Sequence, residues 1–486
     1  MGDMAKPVPC PNSSLVARIQ AQRIISSKDD TDKSSLPAFY HHLAEALDGR
    51  RAVHNFFTLA QNSWQNSGHV DFCSGDILGL RSSDSRRAAF FAELTSQSEF
   101  ATGSSGVRLM DGNYPYLEEA EREIASFHGA EAGLILGSAF EANVAVWTAL
   151  PRPGDVIVYD ELIHASSHEG FKQSLAVDKF MFLHNDIESF RSVLESVFHA
   201  HTMVKQGKRS ILVAVESIYS MDGDVCPLQE LVDVAYVVSG GRGNIQFVVD
   251  EAHCVGVIGP GGAGLVSMLG LQDEIAVVVH SYGKALGATG AIVLGRQLIK
   301  DALINFGRSV VYTTSPSLPF VAAIKSGYAL LKSTQTQQAR EKIQELAKTF
   351  FNCVTLHPLW PVSSQQGLLS VPLAEGWEDR DFLTHIITVS TRQQYTYWLY
   401  FHLQLESFSV FPVGYPVVPH GQSRMRIIMH AHNTQREVEL LVEAIFAWVE
   451  EMLMLEKGGL AETPSKAASQ VYEWMAQEGL SGFGMP

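Results

Sequence analysis

Two strand-like runs end in residues that can do chemistry. Residues 245–250, Ile-Gln-Phe-Val-Val-Asp, close on Asp250, and Glu251, Ala252 and His253 follow. Residues 275–281 close on Ser281, followed by Tyr282, Gly283 and Lys284. Open α/β sheets bind ligands beyond the carboxyl ends of their strands, so Asp250, His253 and Lys284 should meet in one crevice. A carboxylate and an amine presented together suit pyridoxal phosphate (PLP). The lysine forms a Schiff base with its aldehyde, and the aspartate keeps its ring nitrogen protonated. The phosphate needs backbone donors. Residues 133–150 read as a strand, a small-residue turn at Gly137-Ser138-Ala139, then a helix whose N-terminus offers free N–H groups to an anion. His164 lies just past another strand, where an imidazole can stack on a pyridine ring.

Each of these residues also has an ordinary structural use. Asp250 is of the type that caps a helix after a strand. His253 alone reads as a packed core residue, Lys284 as a solvated helix-start lysine, and His164 as a loop residue. The glycines around Lys284 suit a tight turn. Taken singly, those readings are the better ones. Taken together, in this order and each at a strand end, the residues favour the catalytic reading.

The elements that must position them are legible as strands alternating with helix-length segments from about 96 to 310. The strand candidates are GLILG, DVIVYD, KFMFLH, ILVAVES, IQFVVDEA, IAVVVHS and AIVLG. Most are continuous Val/Ile/Leu runs, as in strands buried on both faces of a parallel sheet. The expected class is α/β, with a mostly parallel central sheet, helices on both faces and a smaller α+β C-terminal domain. Before the sheet, residues 36–95 hold helical pieces and one short strand in HVDFCSGD. After it, 322–351 reads as one helical stretch, GLLSVPL and SRMRIIMH as shorter strands, and 436–455 as a closing helix. The division expected is 1–95 as arm and N-terminal segment, 96–315 as the PLP-binding domain, 316–456 as the small domain and 457–486 as a tail. Residues 1–35 read as a loosely docked arm, and the tail carries one amphipathic stretch, 466–480.

Composition narrows the partners. Of 486 residues, 46% are hydrophobic and 18% charged, a globular mixture of two or three domains. Lys and Arg number 36 against 52 Asp and Glu, a net charge of -16. Such a surface repels nucleic acid and anionic membranes, so neither is an expected partner. The five cysteines, Cys10, Cys73, Cys226, Cys254 and Cys353, show no C-x-x-C spacing, so neither a structural metal nor a disulfide framework is expected. A start without an apolar core and the lack of an uncharged run of about 20 apolar residues place the chain in the cytoplasm with no membrane span.

Longer motifs carry a resemblance. DFCSGDILGL, GSSGVRLMDGNYPYLEEAE, DELIHASSHEG, ESIYSMDGDVCPLQEL, VVDEAHCVGVIGPGGAG and HSYGKALGATGAIVLG follow one another from about 70 to 295, and SRMRI lies further on. In these stretches the chain resembles the α-oxoamine synthases, PLP enzymes of fold type I such as 8-amino-7-oxononanoate synthase, 5-aminolevulinate synthase and serine palmitoyltransferase. The resemblance implies that Lys284 holds PLP and moves protons, that Asp250 pairs with the pyridine nitrogen, and that His164 stacks on the ring. It also implies that His253 and Ser220 contact the phenolic oxygen, and that Ala139 and Phe140 give amides, and Ser281 a hydroxyl, to the phosphate. Thr314 would reach the phosphate in a neighbouring subunit, since the family forms homodimers with shared active sites. Arg426 would clamp the amino acid carboxylate, a bidentate task suited to arginine.

Two positions depart from the family. Ser281 stands where threonine is usual. Gly75, in Ser74-Gly75-Asp76-Ile77-Leu78-Gly79, stands where the family has an asparagine near the amino acid. The implied reaction is decarboxylative condensation of an amino acid with an acyl thioester, carried by coenzyme A or a carrier protein, to an α-amino ketone. Gly75 leaves space for an amino acid other than plain glycine or alanine, or for one with an added group; alternatively it fits a local turn. The acyl group is read as a long chain or polyketide, with pimeloyl as the other choice, so the product would be sphingoid-like, another natural product or a biotin precursor. The alternatives are a class II aminotransferase and a non-catalytic partner subunit.

Overall fold

The computed structural model describes residues 37–52, 56, 68–97, 101–480 and 482–485. The arm expected at 1–35 lies outside the described residues. The described chain divides into two compact units. One comprises residues 75–345 and 430–432, and the other comprises the rest.

All seven apolar runs form strands of a single sheet in the first unit. They are β1 (Ala132–Leu136), β2 (Val156–Asp160), β3 (Asp178–Phe182), β4 (Ile211–Glu216), β5 (Ile245–Asp250), β6 (Ile275–Ser281) and β7 (Ala291–Gly295). Their order is β1-β7-β6-β5-β4-β2-β3. Only β7 runs against its neighbours β1 and β6. The other pairs are parallel, so the ends of β1, β2, β4, β5 and β6 share one edge of the sheet. The β-branched runs suit this place because each strand is covered on both faces. β4 is buried at all six positions. β3 is the exception. It forms the sheet edge, opens on Asp178 and Lys179, and leaves four of its five residues partly or fully exposed, with charges at the open edge.

The helices that frame the site are α1 (Pro115–His128), α2 (Ala139–Ala149), α3 (Ala165–Gln173) and α4 (Leu265–Leu269). The core joins β1 and β7 to α2 through Leu134, Leu136, Ala145, Val146, Trp147, Ala291 and Val293.

The expected helix over 322–351 is two helices, α5 (Leu318–Leu331) and α6 (Thr334–Thr355). Ser333 Oγ and Thr336 Oγ1 both donate to the Leu330 carbonyl, at 2.6 and 2.7 Å, and turn the chain there. Hydroxyls that hydrogen-bond nearby backbone compete with the helix ladder in this way.

The second unit holds an antiparallel sheet of β8 (Ile386–Val389), β9 (Phe411–Val413) and β10 (Arg424–Ile428), in the order β9-β10-β8. The strand expected in GLLSVPL is reduced to a single bridge, Ser370 to Ser390. Pro372 has no N–H to extend the ladder and begins a 3₁₀ turn instead. The helices α7 (Thr396–Leu405), α8 (Gln435–Lys457) and α9 (Lys466–Gln477) complete the unit. α8 starts at a capping box between Thr434 and Glu437. The amphipathic stretch of the tail forms α9, which packs on α7: Trp398 Nε1 donates to the Tyr472 hydroxyl at 2.9 Å. Among the described residues no helix is long and apolar enough to cross a membrane. Cys73, Cys226, Cys254 and Cys353 are free thiols.

Candidate active site

Asp250 ends β5 with its side chain buried. Its Oδ1 accepts the backbone N–H of Ala252 at 2.9 Å, which fixes the turn after the strand. Its Oδ2 accepts from Asn143 Nδ2 at 2.7 Å. Asn143 is a buried amide among apolar neighbours in α2, and the same nitrogen donates to Ser166 Oγ at 3.0 Å. Ser166 Oγ in turn lies 2.7 Å from His164 Nδ1. One network therefore joins the start of α2, the end of β5 and the start of α3.

His164 caps α3, its Nδ1 accepting the Ser166 N–H at 3.2 Å. Burial lowers its pKa, the Asp250 charge raises it and the Lys284 charge lowers it, with a net downward shift. A neutral imidazole stacks on a ring without the cost of desolvating a charge. The same balance puts His164 within electrostatic reach of both Asp250 and Lys284.

Glu216 ends β4 directly beside Asp250, its partner in the parallel ladder. It is buried, and burial followed by the Asp250 charge pushes its pKa well above the usual carboxyl range. Its carboxyl accepts the backbone N–H of His164. The sheet thus grips His164 by its backbone while Ser166 grips its ring.

The turn after β1 leads into the helix N-terminus expected to seat an anion. Ser138 caps α2, accepting the Glu141 N–H at 3.2 Å, and Glu141 Oε2 accepts the Gly137 N–H at 3.1 Å. Ala139 and Phe140 follow as the first residues of α2, whose first-turn N–H groups have no intrahelical acceptor. The Phe140 ring meets His164 edge-on at 6.4 Å.

Ser281 is buried at the end of β6, and Lys284 follows on a turn closed by Gly287 N–H to the Lys284 carbonyl at 2.9 Å. Gly75 lies against that lysine. A Cβ placed there would stand 3.7 Å from Lys284 Cα and 3.8 Å from Lys284 Cγ, an ordinary contact. Its φ is outside the left-handed region, so the local turn does not demand glycine. Ser220 sits in the turn between Ile218 and Val225, which bridge each other. His253 is buried one turn past Asp250.

Thr314 stands apart from this network, on an exposed segment paired with Val107. Arg426 belongs to the second unit, in the middle of β10 opposite Thr388 and Phe411. Burial lowers its pKa, and the neighbouring Cys73 raises it.

Three side chains of the network, Asn143, Ser166 and Glu216, were not among the residues expected from sequence. Asn143 had a signal, as the one amide in the apolar second turn of the helix that opens at the anion seat. Glu216 had another, since it ends its strand as Asp250 does.

A basic amine, a buried carboxylate with two donors on it, a neutral imidazole and a helix N-terminus lie along one sheet edge. That donor set fits the amine-reactive carbon, ring nitrogen, ring face and phosphate of PLP.

A family model described as Aminotransferase class I and II matches residues 67–445. Aminoacyl transferase sphA of Byssochlamys spectabilis is 47% identical over 96% of this chain and 98% of its own length. The 8-amino-7-oxononanoate synthase of Emericella nidulans is 41% identical over 79% of this chain and 90% of its own. Serine palmitoyltransferase of Sphingomonas wittichii aligns in structure with a TM-score of 0.67, covering 87% of this chain and 98% of that one. At 21% identity that likeness speaks to the fold alone.

Proposed function

The chain belongs to the α-oxoamine synthases, within the class I and II aminotransferase family, and from that premise we propose that it condenses an amino acid with an acyl thioester. The products are an α-amino ketone, carbon dioxide and the free thiol. The carrying observation is the junction of Asn143, Asp250, Ser166 and His164 beside Lys284.

PLP, when bound, supplies an electron sink for negative charge developing at the amino acid Cα. Lys284 is the residue to hold it and, once displaced by the amino acid, to take the Cα proton on Nζ and return one at the end. Asp250 holds the proton on the ring nitrogen, and Asn143 holds Asp250. His164 covers one ring face and keeps water from it. His253 and Ser220 contact the phenolic oxygen. Ala139 and Phe140 give backbone N–H groups to the phosphate, and Ser281 gives a hydroxyl. Thr314 serves the phosphate of a neighbouring subunit in a homodimer. Its exposure, beside the exposed Leu109, Met110 and Tyr312, supports that role. Arg426 receives the amino acid carboxylate. The protein acts in the cytoplasm.

The acyl donor is a long acyl or polyketide thioester. Two features support this over a pimeloyl donor. The match to the aminoacyl transferase extends over nearly the whole of both chains, whereas the oxononanoate synthase covers less of this one. Gly75, demanded by neither φ nor packing, sets no side chain beside Lys284.

The test is release of labelled carbon dioxide from a panel of carboxyl-labelled amino acids, with and without an acyl thioester, and with Lys284→Ala as control. Thioester-dependent release that the control loses is the expected result. Keto acid formation without release would make the protein an aminotransferase. Neither product, with no cofactor absorbance in the purified protein, would make it a silent partner subunit.

A further inference from the structure

Outside the residues assigned so far, one histidine is held by two carboxylates from different parts of the chain. His184 Nδ1 lies 2.8 Å from Asp160 Oδ1, and its Nε2 lies 2.5 Å from Asp224 Oδ2. Both ring nitrogens face carboxylate oxygens, so both must donate, and the ring carries a positive charge. Burial lowers its pKa, but the hydrogen bonds to Asp160 and Asp224 outweigh it and raise the pKa to about 10.

Each carboxylate also builds a turn. Asp160 ends β2; its Oδ1 accepts the Leu162 N–H at 2.9 Å, and its Oδ2 accepts the Asn185 N–H at 2.9 Å. The chain from Leu162 leads directly to His164. Asp224 closes the other turn: its carbonyl accepts the Tyr219 N–H at 3.1 Å, and Tyr219's carbonyl accepts the Gly223 N–H at 2.9 Å. Ser220 sits inside that loop. The Asp224 carboxylate takes a second donor, Asn185 Nδ2, at 2.6 Å. The edge of the His184 ring meets the Tyr219 ring at 4.4 Å and 85°. Asn185 itself has φ of 52°, a left-handed backbone that asparagine tolerates better than most non-glycine residues.

We infer that His184 is a positioning residue for the cofactor site, a cationic clamp that ties the turn carrying His164 to the turn carrying Ser220. The inference rests on the PLP reading above, because it assigns both turns to one bound ring. The sheet ladder does not do this work. β2 ends at Asp160, and the Ser220 turn has a single bridge at its base. Beyond the Glu216 bond to the His164 N–H, the two turns are joined through Asn185, which bonds both carboxylates, and through the charged ring of His184.

PLP is titrated into the stripped protein, and the visible absorbance of the lysine-bound cofactor gives its dissociation constant. The proteins compared are the parent, His184→Gln, Ser220→Ala and the double variant. His184→Gln should weaken PLP by about tenfold, the loss expected for a charged hydrogen bond, and by a smaller factor once Ser220 is already alanine. An equal factor in both backgrounds, with only a lower melting temperature, would reduce His184 to a fold-stabilising residue and overturn the proposal. Should His184→Gln not fold, Asp224→Asn takes its place. It removes the carboxylate by which the Ser220 turn holds His184, so its effect should shrink in the Ser220→Ala background, and an undiminished effect there would overturn the clamp. Absence of PLP binding by the parent would instead overturn the reading of the site, and the clamp with it.

Discussion

Asn143 holds Asp250 through a hydrogen bond of 2.7 Å and, with the same amide nitrogen, holds Ser166 at 3.0 Å. Helix α2 is thereby fastened to the carboxylate that ends β5 and to the residue that holds the His164 ring. In the proposed site, phosphate, ring nitrogen and ring face would be served by three separate elements, and this amide would set the spacing between them.

Asn143→Ala should therefore injure cofactor handling more than folding. Loss of a hydrogen bond to a charged group corresponds to about 1.5–3 kcal/mol, or roughly ten- to a hundredfold in an equilibrium or rate. PLP affinity and kcat should both fall by about that factor, while far-UV circular dichroism stays at the parent's. Asn143→Asp should be worse, because it sets a second negative charge against Asp250. A parent-like PLP affinity in Asn143→Ala would remove Asn143 from the site.

The parts of this site that sequence reveals are those written in consecutive residues. The Val/Ile/Leu runs of β1 to β7 declare a buried parallel sheet, and Asp250, Ser281 and Lys284 declare which ends matter. Glu216 shows as a strand end, but its closeness to Asp250 does not, because that comes from the register of β4 on β5 and not from spacing. His184 is hidden for the same reason: its partners lie 24 and 40 residues away. The break between α5 and α6 turns on two hydroxyls bonding one carbonyl, within a polar run from Lys332 to Gln338 that reads equally as the solvent side of one continuous helix. The tail's docking also needs a tertiary partner, since α9 shows its amphipathic face in sequence but not the surface of α7 that receives it.

That docking makes the tail part of its unit. α9 buries Val471, Tyr472, Trp474 and Met475, and Tyr472 also donates to the Phe483 carbonyl at 2.9 Å. Each such side chain contributes about 1.5–3 kcal/mol on burial. A chain ending at Gly459 should expose the matching face of α7 and melt at least about 5 °C lower. Calorimetry on the truncated and full chains checks this. An unchanged melting temperature would mean that α9 stabilises nothing.

Stability should also depend on pH through Glu251. Burial, with a smaller contribution from Asp250, raises its pKa from 4.5 to about 8, against the lowering effect of the Val266 and Leu265 N–H groups. The folded chain thus holds a proton between about pH 4.5 and 8 that the unfolded chain has released. Stability must fall as pH rises through that window and level off above it. Glu251→Gln cannot titrate there. His184 and His128 titrate equally in both proteins, so they cancel in the difference. The melting temperature of Glu251→Gln minus that of the parent should rise from pH 5 to pH 8 and then stay level. A difference that ignores pH would show that Glu251 is charged in the fold.

Gly75 gives the sharpest test of substrate choice. Glycine is usually retained where φ is positive or where a Cβ would clash, and neither holds here: a Cβ would sit 3.7 Å from Lys284 Cα with no atom nearer. The residue is therefore free to be larger as far as the fold is concerned. Gly75→Ala should fold, bind PLP and keep its melting temperature. What changes is the space beside the lysine, where the amino acid must displace Nζ. An added methylene-sized group in a pocket alters discrimination by about 10–200-fold. Gly75→Ala and Gly75→Asn should shift the ratio of kcat/KM toward smaller amino acids by about tenfold or more, with the larger shift for asparagine. The carboxyl-label panel reads this ratio directly. Selectivity that stays at the parent's in both variants would mean that a side chain at position 75 faces away from the amino acid.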